Sequence, residues 1–392
     1  MSLRLLNFSK VRGVTDLAIF TDGDVYSKLG VRHVINAMGN QTVLGGSSPS
    51  DVVRESMENA NLNYVEMREL LEKSGEFIAG LLGTEAAYVT AGGAAAMALS
   101  TAACMAGNDP DKILQLPDTT GMKNQIILQQ KQRYSYDRVY GFAGADLITV
   151  GDDQGCTSEE LSEAITPKTV AIAYFVQPDW DDSVVSLEET VRIAHEKGIK
   201  VIADAASQIY PLDYMRSNAT GADLVCFGAK YLGAPHDTGF VCGTKDLIDA
   251  VSANGFIGFH TGGRRAIGRA YKVTRQGIVA VVAALDEWFT MNHEDRLLSI
   301  DDTLTTMKSN LQGILHAETN VVHHNQFMGS TLHVKLSPDS GLTAEGVLKQ
   351  LDEGTPRIWA NSDGEDTLTF NAHTLKPGEE DVVVERLKEI IS

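Results

Sequence analysis

The sequence lacks any hydrophobic run long enough to cross a membrane. Its longest uninterrupted apolar stretch, residues 278–285, is far shorter than the roughly 20 residues that a spanning helix requires. Residues 1–12 contain no apolar core of signal-peptide length, so we expect a cytoplasmic protein.

Cysteine is scarce, and its spacing excludes two classes of small domain. The chain has four cysteines and no C-x-x-C pair, which fits neither a zinc knuckle nor a dense disulfide framework. We expect buried thiols at Cys104, Cys156, Cys226 and Cys242. The adjacent His323 and His324 would point to opposite faces of a strand, so no metal site is expected there.

Positive charge is also in short supply. Lysine and arginine number 33 against 52 aspartates and glutamates, which gives a formal net charge of −19. A surface of this charge repels polyanions, and a nucleic-acid partner is therefore not expected.

What is present is an alternation of short β-rich runs with helical stretches, typical of an α/β fold with a largely parallel sheet covered by helices. Seven strands are predicted for one large domain, at residues 87–90, 125–129, 146–150, 170–176, 200–204, 223–227 and 239–243. The helical stretch 64–82 places its apolar residues on one face and ends at Gly83.

The pattern changes after residue 275 to that of a small α+β tail. Strands are predicted at 331–336, 357–360 and 367–371 and a closing helix at 379–391, with residues 361–364 as a hairpin turn between the last two strands. The predicted organisation is an N-terminal segment at 1–40, packing on the tail or on a second subunit, a large domain at 41–275 and a small domain at 276–392.

Three elements carry the chemical information, and the first is a glycine turn. Residues 89–96 (VTAGGAAA) run from a strand through Gly92 and Gly93 into an alanine-rich helix. Backbone N–H groups at a helix N-terminus bind anions such as phosphate. When this segment is taken alone, close packing of small residues is the more common reason for such a turn.

The second and third elements are a carboxylate and a lysine at strand ends. Asp204 ends the strand 200–204, at the edge where open α/β sheets face their ligand crevice, although a helix-capping aspartate is the alternative. Lys230 follows the strand 223–227 among small residues, where desolvation would favour a neutral, nucleophilic amine. A solvated lysine is the alternative here. Together the three elements match what pyridoxal phosphate requires: a phosphate cradle, a carboxylate for the ring nitrogen and a lysine for the aldehyde.

These motifs resemble the fold-type I pyridoxal-phosphate enzymes, within them the branch of selenocysteine synthase and D-glucosaminate-6-phosphate ammonia lyase. The motifs that carry the resemblance are 35–39 (INAMG), 44–46 (LGG), 88–95 (YVTAGGAA), 116–118 (LPD), 121–124 (GMKN), 204–208 (DAASQ), Lys230 with 233–235 (GAP), 268–269 (GR) with Lys272, 356–358 (PRI) and 375–379 (LKPGE).

The resemblance implies a homodimer or larger assembly and a sheet that is parallel except for the strand 239–243. It implies that Lys230 is the Schiff-base lysine and Asp204 the partner of the ring nitrogen. The remaining implied contacts are Gly92, Gly93 and Ala94 at the phosphate, Ser207 and Gln208 beside the cofactor, and Arg357 at a substrate carboxylate.

Several positions depart from the pattern of that branch. No serine or threonine immediately precedes Lys230, and Gln132 stands where a ring-stacking histidine is usual, with Tyr134 and Tyr136 nearby. His236 replaces a usual glutamine or threonine, with a substrate-shaping role or a structural hydrogen bond as the two readings. Arg264 and Arg265 are candidates for binding a substrate phosphate or the cofactor of a neighbouring subunit, and a solvated basic turn is the alternative.

The expected activity is elimination of a β-substituent from a hydroxylated amino acid or amino sugar acid, giving a keto acid and ammonia. An aminotransferase or racemase would use the same residues, and a selenocysteine-synthase-like transferase is disfavoured by the net charge of −19. A non-catalytic protein that only binds pyridoxal phosphate is the alternative from another class.

Overall fold

The computed structural model describes residues 24–260 and 265–392, which form two units. The larger comprises residues 39–299 and 323–329, and the smaller comprises residues 24–38, 300–322 and 330–392. The strands are β1 (Val34–Asn36), β2 (Ala86–Thr90), β3 (Gln125–Gln129), β4 (Asp146–Val150), β5 (Thr169–Phe175), β6 (Lys200–Asp204), β7 (Leu224–Gly228), β8 (Gly239–Gly243), β9 (Ala317–Val322), β10 (Thr331–Leu336), β11 (Arg357–Trp359), β12 (Asn361–Asp363) and β13 (Thr367–Asn371).

The helices alternate with these strands, as the sequence pattern predicts. They are α1 (Val25–Lys28), α2 (Asp51–Leu62), α3 (Met67–Leu82), α4 (Gly93–Ala106), α5 (Pro110–Gln115), α6 (Ser158–Ala164), α7 (Leu187–Glu196), α8 (Leu212–Ala219), α9 (Lys245–Asn254), α10 (Arg275–Thr290), α11 (His293–Asn310), α12 (Ala344–Glu353) and α13 (Glu379–Ile391). Within the described ranges, no helix is both long enough and apolar enough to cross a membrane.

The larger unit is built on a seven-stranded sheet with the order β2-β8-β7-β6-β5-β3-β4. Strand β8 runs antiparallel to both of its neighbours, whereas the other pairings are parallel. The predicted α/β architecture is therefore confirmed, including the reversed strand. The central strands contain continuous apolar runs because helices cover both faces of a parallel sheet, as the fully buried run Ile126, Ile127 and Leu128 illustrates.

The strand register brings three chain segments to one edge of this sheet. Gly239 of β8 is the cross-strand partner of Thr90 on one side and of Gly228 on the other. One strand further along, Asp204 is the partner of Cys226 in β7. The residues that directly follow β2, β6 and β7 therefore emerge at the same edge, which is where ligands bind in open α/β sheets.

The division between the units differs from the domain boundary predicted near residue 275. Helix α10 belongs to the larger unit, where it packs on α2 and α3. Its buried face includes Ile278, Val281 and Leu285. Helices α2 and α3, which come before the sheet in the chain, cover these side chains. The change of sequence pattern at residue 275 therefore does not mark the boundary between the two units.

The smaller unit contains a parallel pair and a four-stranded antiparallel sheet. Strand β1 pairs with β11, and the order of the other sheet is β12-β13-β10-β9. The hairpin lies three residues later than predicted: residues 361–363 form strand β12, which pairs with β13, and the turn contains Gly364 with φ of +71°. The predicted partner strand, β11, instead pairs with the N-terminal β1, which the local pattern does not reveal.

Candidate active site

Helix α4 begins at the glycine turn with its backbone N–H groups uncapped. Gly92 occupies the N-cap position with φ of +90°, and no side chain accepts a hydrogen bond from the first turn. The N–H groups at the start of the helix, including those of Gly93 and Ala94, are therefore oriented to receive an anion. Gly92 has open space around its missing Cβ, so its glycine requirement comes from the backbone angle.

Gly239 at the start of β8 packs directly against this turn, and the sequence patterns did not reveal this contact. A Cβ atom at Gly239 would lie 2.6 Å from the carbonyl carbon of Gly92 and 2.8 Å from the nitrogen of Gly93. Real Cβ atoms do not approach backbone so closely, and β8 can pass under the turn only with glycine at this position. The signal available in the sequence was a glycine at the start of a strand, which is ambiguous by itself.

Asp204 is buried at the end of β6 and is 3% exposed. Its Oδ1 accepts a hydrogen bond from the backbone N–H of Ala206 at 3.0 Å, and its Oδ2 accepts one from the hydroxyl of Tyr134. Burial raises the pKa of Asp204, and the two hydrogen bonds oppose that rise by stabilising the carboxylate. Because the next helix starts only at Leu212, Asp204 is not a helix cap.

Tyr134 links Asp204 to the neighbouring strand β5. Its ring lies parallel to that of Phe175, with centroids 4.0 Å apart and an interplanar angle of 3°, and its hydroxyl is 3.4 Å from Sδ of Met97. Gln132 is fully buried and donates from Nε2 to the carbonyl oxygen of Phe175 at 3.1 Å. Tyr136 is 61% exposed, and its ring makes an edge contact with that of Tyr134.

Lys230 lies in the short 3-10 turn Ala229–Leu232 that follows β7. Its Nζ is 3.4 Å from Oγ1 of Thr42 and lies over the ring of Tyr231, 4.8 Å from the centroid. Burial lowers the pKa of Lys230, which favours the neutral amine that attacks an aldehyde. The half-buried position differs from that of a freely solvated lysine.

A second segment, residues 39–47, packs along the lysine loop. Asn40 donates from Nδ2 to the carbonyl oxygen of Lys230 at 3.2 Å, and Ser47 donates from Oγ to the carbonyl oxygen of Ala234. The ring of His236 lies against Gly46, where a Cβ atom would overlap Nδ1 of the histidine. Burial, followed by the charge of Lys230, lowers the pKa of His236.

The other predicted site residues lie in three separate segments of the chain, at 207–208, 264–265 and 357. Ser207 and Gln208 follow Asp204 in the same loop, where Nε2 of Gln208 donates to Oγ of Ser207 at 3.4 Å. Arg265 is exposed with φ of +48°, and Arg264 lies outside the described residues. Arg357 lies in the smaller unit on β11, where its Nη2 is 2.6 Å from Oδ1 of Asp352.

The residues at the sheet edge fit pyridoxal phosphate. The uncapped start of α4 suits the phosphate, the buried carboxylate of Asp204 suits a protonated ring nitrogen, and Lys230 suits the aldehyde. Among residues 24–260 and 265–392, no group of three or more histidine, cysteine, aspartate or glutamate side chains is arranged to hold a metal. The cysteines are free; Cys104 is partly buried and the other three are buried.

Comparisons with known proteins agree with this arrangement. Residues 130–263 match the family model described as aminotransferase class-V. The chain is 31% identical, over 93% of its length and 92% of the relative's, to a 5'-C-glycyluridine monooxygenase-decarboxylase from a Streptomyces species. It is 28% identical, over 94% of its length and 98% of the relative's, to D-glucosaminate-6-phosphate ammonia lyase from Salmonella typhimurium.

A solved structure shares the whole architecture. A structure of D-glucosaminate-6-phosphate ammonia lyase superposes with a TM-score of 0.84 at 26% sequence identity, covering 94% of this chain and 98% of that one. Both the sequence relatives and the solved structure match this chain over more than nine-tenths of its length. This protein belongs to the fold-type I pyridoxal-phosphate-dependent enzymes, on the branch that includes D-glucosaminate-6-phosphate ammonia lyase.

Proposed function

We propose that this enzyme is an ammonia lyase that eliminates a β-hydroxyl group from a hydroxylated amino acid or amino sugar acid. The observation that carries the proposal is the nearly full-length structural match to D-glucosaminate-6-phosphate ammonia lyase, with a TM-score of 0.84. The net charge of −19 further favours a small substrate over a tRNA, which is a polyanion.

Lys230 is assigned the proton transfer at the substrate α-carbon. When bound, pyridoxal phosphate supplies an electron sink for the pair that remains after this proton leaves. The lowered pKa of Lys230 means that its Nζ is neutral over a wider pH range than an exposed lysine, as a general base must be. The hydroxyl of Thr42, 3.4 Å from Nζ, orients the amine when it is not covalently engaged.

Asp204 is assigned the task of holding a proton on the ring nitrogen. Its carboxylate has to remain ionised while buried, and the Ala206 N–H and the Tyr134 hydroxyl both favour the ionised form. The carbon–oxygen bond at the β-position then breaks with its electron pair, and the departing hydroxide takes up a proton to become water. Hydrolysis of the unsaturated amine gives a keto acid and ammonia, so one water is released and one consumed.

We assign the substrate carboxylate to Arg357 on the sequence match alone. In the structure, Asp352 engages Nε and Nη2 of Arg357 and fixes the orientation of its guanidinium. A second anionic group, such as a substrate phosphate, would fall to Arg264, Arg265 or Lys272 on the same basis.

A second candidate is an oxygen-dependent decarboxylation of an amino acid. It is favoured by the 31% identity to a monooxygenase-decarboxylase over nearly the whole chain. The two candidates differ in their stoichiometry, because only the second consumes molecular oxygen and releases carbon dioxide. An oxygen electrode and a carbon dioxide assay therefore separate it from ammonia release under anaerobic conditions.

The decisive experiment measures ammonia per active site, in the absence of oxygen, across amino sugar acids and β-hydroxy amino acids. Many turnovers without an added keto acid are expected, because elimination needs no amino acceptor. Turnover that appears only with pyruvate or 2-oxoglutarate would make the enzyme an aminotransferase. Loss of chirality without ammonia would make it a racemase, and absence of any reaction across the panel would favour a binding protein.

We further propose that the enzyme is a cytoplasmic homodimer. Free cysteine thiols persist in a reducing compartment, and all four cysteines of this chain are free.

A group of large apolar side chains around α2 is exposed in the single chain: Val43, Val52, Leu62, Tyr64 and Val65. Contact with a second copy would remove them from water, and the mass measured by light scattering tests this assignment.

A further inference from the structure

The guanidinium of Arg357 is held along one of its two hydrogen-bonding edges by Asp352. Nε of Arg357 donates to Oδ1 of Asp352 at 2.8 Å, and Nη2 lies 2.6 Å from the same oxygen. Nε and Nη2 form the side edge of the planar guanidinium, whereas Nη1 and Nη2 form its end edge. Asp352 therefore occupies the side edge and leaves the N–H groups of the end edge directed elsewhere.

Trp359 holds the same carboxylate and also contacts the arginine. Arg357 and Trp359 flank the buried Ile358 on β11, so both side chains leave the strand on the same face. Nε1 of Trp359 donates to Oδ1 of Asp352, and the guanidinium carbon of Arg357 lies over the tryptophan ring, 5.2 Å from its centroid. The hydrogen bond from Trp359, followed by that from Arg357, lowers the pKa of Asp352, which keeps the carboxylate ionised.

The end edge of Arg357 is accessible and has a definite preference among ligands. The Arg357 side chain is 26% exposed, and within the described ranges Asp352 is the acceptor that its guanidinium engages. A carboxylate presents two acceptor oxygens in one plane, which match the parallel N–H groups of Nη1 and Nη2. A carboxamide replaces one of these oxygens by an NH₂ donor, which would face an N–H group of the arginine. An arginine that is fixed in orientation therefore separates the two groups more sharply than one that is free to turn.

We propose that Asp352, supported by Trp359, is a positioning residue that leaves Arg357 only its Nη1–Nη2 edge for the substrate and so makes the enzyme discriminate a carboxylate from a carboxamide. This inference rests on the proposed function, which assigns the substrate carboxylate to Arg357. Asp352 acts through Arg357 and does not itself contact the substrate. A side chain that is already held in its binding orientation loses less conformational freedom when the ligand arrives, which strengthens binding.

The test compares two ligands that differ only in the group offered to Arg357. D-glucosaminate and its C1 amide are titrated separately into the cofactor-loaded, full-length enzyme, and the change in the visible absorption of the bound cofactor gives each dissociation constant. The ratio of the two constants is the acid preference, which we expect to be about ten-fold or more in the wild type. Arg357→Ala should abolish this preference. An unchanged preference in Arg357→Ala would reject the assignment of the substrate carboxylate to Arg357.

Asp352→Ala should lower the acid preference at least about five-fold, because Arg357 can then turn to meet either ligand. Asp352→Asn should keep the preference within about two-fold of the wild type, since Oδ1 of the amide still accepts from Arg357. Glu353→Ala is the matched control, because it removes the next carboxylate of α12, which pairs with Lys349 at 3.9 Å instead of Arg357. Its acid preference should equal that of the wild type, which separates orientation from net charge.

An unchanged acid preference in Asp352→Ala, with a lowered one in Arg357→Ala, would overturn the positioning role alone. Weakening of both ligands by the same factor would overturn it as well, because Asp352 then only stabilises the fold. Tighter binding of the acid in both Asp352→Ala and Asp352→Asn would show instead that Asp352 competes with the substrate.

A second variant protects the test against misfolding. The Asp352 side chain is 41% exposed, and Asp352→Ser, whose hydroxyl is too short to reach Arg357, provides the same comparison should the alanine variant not fold. Ammonia release is measured separately on the wild type. An acid preference that depends on Asp352, without ammonia release, would reject the lyase activity and leave the positioning role standing.

Discussion

The hydroxyl of Tyr134 donates a hydrogen bond to Oδ2 of Asp204, although the two residues lie 70 positions apart in the chain. The stacking of Tyr134 on Phe175 fixes the direction from which the hydroxyl approaches. This bond joins the loop after β3 to the end of β6. It gives the buried carboxylate a second hydrogen-bond donor besides the N–H of Ala206.

Tyr134→Phe should weaken cofactor binding most at acidic pH. Burial raises the pKa of Asp204 and the tyrosine hydrogen bond lowers it, so removing the hydroxyl raises the pKa further. Asp204 then becomes protonated at a higher pH. As the pH is lowered, the loss of cofactor binding should therefore begin at a pH roughly one unit higher than in the wild type, since a hydrogen bond to a charged group contributes about 1.5 kcal/mol. The dissociation constant of pyridoxal phosphate, measured against pH, checks this.

The exposed Tyr136 provides the control for that measurement. Tyr136→Phe removes a hydroxyl from the same loop without touching Asp204, and its pH profile should match the wild type. If Tyr134→Phe also matches the wild type, the hydrogen bond to Asp204 does not influence its ionisation.

Lys230→Ala should abolish the visible absorption of lysine-bound cofactor while leaving the fold intact. The side chain is only half-buried and its removal leaves the apolar core untouched. Loss of a positioned proton-transfer group should reduce turnover at least about a hundred-fold. Absorption spectra and circular dichroism of the purified variant test both parts, with Lys245→Ala on α9 as the control. Unaltered visible absorption would place the reactive lysine elsewhere.

Asp204→Asn should retain bound cofactor but lose most of its turnover. The amide is similar in shape, yet it cannot stabilise a protonated ring nitrogen, and loss of a charge-assisted bond costs about 1.5 to 3 kcal/mol. The turnover rate should fall ten-fold or more, with the thermal midpoint near that of the wild type. A variant with normal turnover would show that another residue pairs with the ring nitrogen.

Gly239→Ala should distort the glycine turn at Gly92 and Gly93 through a single added methyl group. The new Cβ would lie 2.6 Å from the carbonyl carbon of Gly92, so β8 or the turn has to shift, at a cost of about 1 to 3 kcal/mol. Both the thermal midpoint and the affinity for pyridoxal phosphate should fall. Gly93→Ala is the steric control, because its Cβ meets no atom closer than 3.7 Å and should leave the thermal midpoint nearly unchanged.

Local patterns were sufficient for much of the larger unit. The strands β3, β4, β6 and β8 have the predicted bounds, because short apolar runs flanked by turns and helices reflect burial on both faces of a parallel sheet. Asp204 and Lys230 could be singled out for a related reason. Each comes at the end of such a run in the chain. The neighbouring residues alone are therefore enough to predict that it lies at the end of a strand.

The tertiary structure decided which distant segments meet. Neither the bond from Tyr134 to Asp204 nor that from Asn40 to the carbonyl of Lys230, 190 residues away, leaves a trace in local periodicity. The close approach of Gly239 to Gly92 likewise depends on β8 being inserted between β2 and β7. Residue types and their spacing determine strands, turns and candidate chemistry, whereas strand order and side-chain packing arise from burial summed over the whole chain.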